Sequence, residues 1–166
     1  WAAFLVVTIA GERLELARLQ QVTTGAQATF FLLLATLLAG LLLLGWWFDG
    51  AVRLFGAGLT GLAVWLSLND IARRTVRHTG LTRFIAVCLL SGYVWLGLSG
   101  LAAMVYGGVP VGPQYDVILH AFFLGFVFAM IFAHAPIIFP AVLGARMTYR
   151  PLFYAHVVLL QITLLI

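Results

Sequence analysis

Lysine is missing from this chain, and charge of either sign is scarce: nine arginines and five acidic residues among 166 positions, 8% charged in all. Soluble domains carry about 25%. With 64% hydrophobic residues and a mean hydropathy of +1.12, so little charge excludes one globular core in water and requires several membrane spans. Cysteine is almost absent too. The lone Cys88 excludes an intrachain disulfide; inside an apolar run it reads as a small packing residue, with a single metal ligand as the alternative. No nucleophile–base–acid set and no phosphate loop is present, so hydrolytic chemistry has nothing to carry it, and whether the chain is an enzyme stays open. No basic n-region or A-x-A site marks the first apolar run, so it does not read as a signal peptide. A sequence pI near 9.8 would suggest nucleic acid in a soluble protein. Here the arginines fall in short loops, where they set membrane orientation and imply no nucleic-acid partner.

What is there is a succession of apolar runs. The sequence predicts an all-α, polytopic transmembrane helix bundle of about six segments, forming one domain over residues 1–166. Complete spans are expected at Ala26–Phe48, Ala51–Leu68, Phe84–Tyr106 and Asp116–Pro140. The first run, Trp1–Ala10, and the last, Leu152–Ile166, are shorter than the roughly 20 residues a span needs, which suggests a fragment of a longer chain. After Ala10 the segment GERLELARLQQ reads as a helix end emerging into the interface, with Glu15 and Arg18 paired at i,i+3. Trp46-Trp47 reads as an interfacial pair, Asp49-Gly50 as a turn, and Arg53 as snorkelling to headgroups. Gly56-x-Gly58-x-x-Gly61 is no dinucleotide fingerprint, because no strand precedes it. It offers instead a small-residue contact, Ala57-xxx-Gly61, as does Ser99-xxx-Ala103. Such faces also suit docking to other membrane subunits.

The arginines lie on one side of this topology. Arg13 and Arg18, then Arg73, Arg74, Arg77 and Arg83, then Arg146 and Arg150 occupy alternate loops; only Arg53 is on the other side. The positive-inside rule then puts loops 11–25, 69–83 and 141–151 in the cytoplasm, in a bacterial inner membrane.

The stretch most suggestive of function is Asp116–Pro140, DVILHAFFLGFVFAMIFAHAPIIFP. On an α-helix His120 and His134 fall within about 40° of each other and roughly 21 Å apart along the axis. Asp116, a candidate helix cap, shares the His120 face. A second stripe, Ala121, Gly125, Ala129 and Ala133, is built for close packing. Pro136 frees the Phe132 carbonyl beside His134, and Pro140 is expected to help end the helix. On the next segment His156 should sit at the depth of His134, though nothing in the sequence says that the two face each other. Paired imidazoles can ligate haem iron or part of a copper site. A lone membrane histidine can equally hydrogen-bond to a neighbouring helix.

The 14-residue spacing resembles that on the haem-bearing helices of cytochrome b, although only His156 is at hand as a partner. The fuller pattern D-x-x-x-H-A-F-F-L-G-F-V-F-A-M-I-F-A-H-A-P-I-I-F-P resembles the NnrS family of polytopic haem- and copper-containing membrane proteins, over the fifth and sixth segments. That resemblance implies cofactor ligation by His120, His134 and His156, with His134 and His156 as the metal pair. It makes the expected function redox-type, with haem b as cofactor and copper as a further one. Two alternatives stand beside it. One is a structural subunit of an energy-transducing complex, bearing no cofactor or a pigment. The other is a proton-coupled transporter whose path is lined by Asp116, His120, His134 and His156.

Overall fold

The computed structural model describes residues 1–18, 22–144 and 148–165, the side chain of residue 18 excepted. The expected Glu15–Arg18 pair and Arg146 lie outside that description. All described elements are helical: α1 Ala2–Arg18, α2 Thr24–Leu43, α3 Phe48–Asn69, α4 Ala72–Thr75, α5 Gly80–Tyr106, α6 Pro113–Leu119, α7 Phe128–Leu143 and α8 Phe153–Leu165. Between α6 and α7, His120–Val127 is a π-helix, so Pro113–Leu143 forms one continuous 31-residue helix. Four helices, Thr24–Leu43, Phe48–Asn69, Gly80–Tyr106 and Pro113–Leu143, are long and apolar enough to cross a membrane. The fold is thus the expected all-α bundle.

Small residues set how closely the helices approach. Gly58 lies over the Leu37 backbone and Gly40 over the backbone of Ala51 and Phe55, which joins α2 to α3. Gly56 meets Gly100 and Ala103, and Gly100 meets Thr60, which joins α3 to α5. The α3–α5 contact therefore runs through Gly56, while Gly61 of the expected Ala57-xxx-Gly61 contact meets Leu33 of α2. Ala121, Gly125, Ala129 and Ala133 are all buried, as their four-residue spacing implies. Gly125 accommodates Trp95, while Ala129 and Met130 lie against Gly92.

A polar clasp closes one end of the bundle. Arg53 bonds Asp49 at 2.9 Å and donates to the Val105 carbonyl at 3.2 Å, while Asp49 accepts from the Gly108 N–H at 3.0 Å. Arg53 therefore joins α3 to the end of α5 instead of only snorkelling. The opposite end carries Arg73, Arg74, Arg77 and Arg83.

Several boundaries differ from expectation for local reasons. The chain does not leave the bundle after Ala10: Val6, Ala10, Leu14 and Ala17 share one face and are buried, so α1 continues to Arg18. Helix α6 begins at Pro113 after Gly112, so Asp116 lies in its first turn and is not its cap. Pro140 does not end α7, which runs to Leu143 and stops where Gly144 adopts φ 65°. Proline is tolerated inside a membrane helix when neighbours re-satisfy its backbone.

Candidate functional site

Helix α1 starts at the clasp end, where Trp1 and Ala3 line a cavity with Val52, Tyr115 and Phe122, and descends toward the arginine end. Three and four residues beyond Ala10, the buried stripe of α1 presents Arg13 and Leu14. A cation is thereby carried into the bundle, and Arg13 is only 7% exposed. Its guanidinium donates to His134 Nε2 at 2.9 Å. The other ring nitrogen of His134 lies 2.7 Å from the Met130 carbonyl. Both contacts are satisfied together by one state: neutral imidazole, proton on Nδ1, lone pair on Nε2 turned to Arg13.

Glu12 completes the group. Its carboxylate lies 3.3 Å from the Arg13 guanidinium and 3.9 Å from His134 Nε2. At 54% side-chain exposure it is the outermost member, against 20% for His134. A second buried pair adjoins the first. Asp70, at the C-terminal cap of α3 and 4% exposed, accepts from the Ala72 N–H and from the Tyr93 hydroxyl, each at 2.7 Å. Arg13 and Glu12 lie close enough to the Tyr93 hydroxyl for their charges to act on it. Arg13 Nε is buried with no hydrogen-bond partner among the described residues, leaving one donor of the cluster unspent. Elements α1, α3, α5 and α7 thus converge through Glu12, Arg13, Asp70, Tyr93 and His134.

Of these five, the sequence pattern marks only His134; Arg13 and Glu12 read as part of an interfacial tail and Asp70 as part of a polar loop. The helical phase of Val6, Ala10, Leu14 and Ala17 was the available signal, since Arg13 falls on that stripe. Nothing local marked Asp70 or Tyr93, whose pairing spans 23 residues.

The other expected site residues lie elsewhere. His120 lines a cavity of about 660 Å³ near the clasp end, between α5, the long helix and α8, with Asp116, Trp95 and Thr163. Its Nδ1 is 2.7 Å from the Asp116 carbonyl. The helix between the histidines explains why they diverge. In the π-helix each N–H reaches back five residues, as Phe128 does to Phe123, so each residue turns the helix through a smaller angle. The 40° relation holds only for an unbroken α-helix. His120 therefore serves the α8 cavity while His134 serves α1.

His156 lies beside Phe132 and not on the face of His134. Its ring lies 6.3 Å from that of Phe132. Phe132 and His134 are two residues apart, about 200° around an α-helix. With Nε2 of His134 engaged by Arg13 and His156 turned to Phe132, this pair does not fit a bis-histidine iron or copper centre. His120 fits a single axial ligand better. Its Nδ1–H can donate to a carbonyl, which leaves Nε2 as the free donor atom, the arrangement usual for metal-binding histidines. Against that fit, Asp116 is the only charged residue lining the cavity, so no cation there could pair with a haem propionate. No group of three or more His, Cys, Asp or Glu side chains is gathered for a metal ion among the described residues.

No curated protein and no solved structure matches the chain. One family model does, across residues 1–166, and the chain accordingly belongs to the family described as Domain of unknown function (DUF8744).

Proposed function

We propose that the protein is an integral membrane transport protein coupled to protons, with His134 as the group that takes up and releases the proton. The observation that carries this reading is the Arg13–His134 contact inside the bundle, with a carboxylate 3.9 Å away. Ionisable groups within membrane segments are costly and commonly mark proton and ion pathways. Arginine is a fixed charge, so the exchangeable protons belong to His134, Glu12, Asp70 and Tyr93. Protonation of His134 at Nε2 consumes the lone pair that holds Arg13. The new imidazolium repels the guanidinium, and its closest carboxylate is Glu12. Proton uptake therefore exchanges Arg13 for Glu12 at His134 and releases a cation beside Tyr93 and Asp70. Because Arg13 and Glu12 both ride on α1, the exchange alters how α1 is held to α7. Orientation belongs to the same reading: the arginine end, with Glu12 near it, faces the cytoplasm of a bacterial inner membrane.

The full chain reconstituted in liposomes around a trapped pH dye tests this. Under an imposed pH gradient with a clamped membrane potential, proton entry should exceed that of protein-free liposomes. His134→Ala and Glu12→Gln should abolish the excess. Wild-type vesicles no leakier than lipid alone under that gradient would remove the reading.

A second reading rests on His120. Its Nδ1 hydrogen bond and the adjoining cavity suit one axial ligand to haem b, or one donor to copper, and would make the protein redox-type. A reduced-minus-oxidised spectrum of protein from haem-competent cells decides it. Bands lost in His120→Ala but kept in His134→Ala support it; a colourless, iron- and copper-free preparation sinks it.

A further inference from the structure

We propose that the pocket at the arginine end is a binding site for an anionic phosphate group, carried by a lipid headgroup or by free phosphate. The pocket is about 470 Å³ in volume and is lined by Arg73, Arg74, Arg77, Asp70, Asn69 and Thr23, with Leu68 and Val22 on its apolar side. The grouping of its arginines makes this pocket distinctive: three line it together, whereas Arg83 and Arg150 lie outside it. Arg13 is taken by Glu12 and His134, and Arg53 by Asp49. Arg73, Arg74 and Arg77 form no side-chain hydrogen bond or ion pair among the described residues. Three guanidinium groups are thus gathered around one cavity with no ion-pair partner among the described residues.

Asp70, which also lines the pocket, forms no ion pair with them among the described residues; its oxygens accept from the Ala72 N–H and the Tyr93 hydroxyl. Its role is to hold the site in shape. By accepting from Ala72 it anchors α4, and α4 carries Arg73 and Arg74. Orientation by the positive-inside rule needs basic residues in a loop; it needs neither a cavity nor a pinned helix. Guanidinium groups match phosphate oxygens two at a time, and basic pockets between membrane helices are suited to phosphate headgroups. Leu68, 57% exposed at the rim, offers apolar surface to an acyl chain. The inference is independent of the proton reading, since it uses none of the His134 contacts.

The test is thermal unfolding of the full chain in an uncharged detergent, titrated separately with short-chain phosphatidylglycerol, phosphatidylcholine and inorganic phosphate. Saturable stabilisation by phosphatidylglycerol but not phosphatidylcholine is expected. Inorganic phosphate that stabilises and competes with the lipid assigns a soluble source; phosphate without effect assigns the headgroup. R73Q/R74Q/R77Q should raise the half-saturating concentration on the order of a hundredfold, at about fivefold per arginine. R83Q/R150Q, outside the pocket, should leave it unchanged. Equal stabilisation by both lipids with no response to phosphate overturns the proposal. So does a triple variant that saturates like wild type, or a control pair that weakens binding as much as the triple. Should the triple variant fail to fold, R74Q alone and the wild-type series decide the matter.

Discussion

At the scale of single residues, hydrogen bonding inside the bundle sets what each substitution costs. Tyr93→Phe removes the donor to Asp70 Oδ2 in a site 4% exposed. A buried acceptor left unpaired costs about 1–3 kcal/mol, so a matching loss of stability is expected in detergent unfolding. Pairing Tyr93→Phe with Asp70→Asn should recover part of it, since the amide carries no charge to strand. The Arg13–His134 contact calls for a double-mutant cycle, with Arg13→Met and His134→Leu. Interhelical hydrogen bonds in membranes couple by about 0.6–2 kcal/mol. The coupling should be present with neutral imidazole and lost with the protonated ring, because only neutral imidazole accepts from Arg13. A coupling unchanged by acid would mean that the two do not part on protonation.

At the scale of elements, packing without side chains governs how α2, α3 and α5 meet. A Cβ at Gly58 would lie 2.7 Å from the Leu37 Cα, and one at Gly56 would lie 2.6 Å from the Gly100 carbonyl. In both cases the obstacle is backbone, which cannot rotate aside. Gly58→Ala and Gly56→Ala should each lower stability by the roughly 1–3 kcal/mol typical of overpacking, read from unfolding midpoints. Gly97→Ala, whose Cβ would meet only the Ala63 methyl at 3.5 Å, should be close to neutral. Gly107→Ala fails for a different reason: φ is 66°, and the added methyl would meet Asp49 and Arg53, breaking the clasp between α3 and α5. The fifth span shows the limit of reading elements from pattern. Its four-residue stripe was legible and is buried, but the π-helical stretch beginning at His120 was not. That stretch depends on which backbone bonds the whole helix can close against its neighbours, and it separates the two histidines that sequence alone put on one face.

At the scale of the whole molecule, the polar groups divide between two ends. Asp49 and Arg53 close one, and the arginine pocket opens at the other with the Arg13–His134 cluster adjacent to it through Asp70 and Tyr93. Cysteine scanning can test the orientation, because the native Cys88 is fully buried and should not react. Val111→Cys, at a position 75% exposed beyond the clasp, should be labelled by an impermeant maleimide in intact cells. His78→Cys, at the arginine end, should be labelled only after the membrane is opened. The reverse pattern would invert the orientation and turn the arginine pocket outward.

The sequence by itself determined the solvent this chain is built for. Scarce charge and long apolar runs leave no alternative to helices whose backbone bonds close within each segment. It also determined which faces could pack closely, because small residues at four-residue spacing do so in any helical bundle. The polar site was decided only by tertiary structure. Arg13 and His134 are 121 residues apart, and Asp70 reaches Tyr93 from the end of a different helix. No local pattern says which arginine will be drawn into the bundle and which will face a cavity. That choice follows from how α1 docks against α2 and α3 and so reaches α7, and docking is a property of surfaces that exist only once the helices have come together.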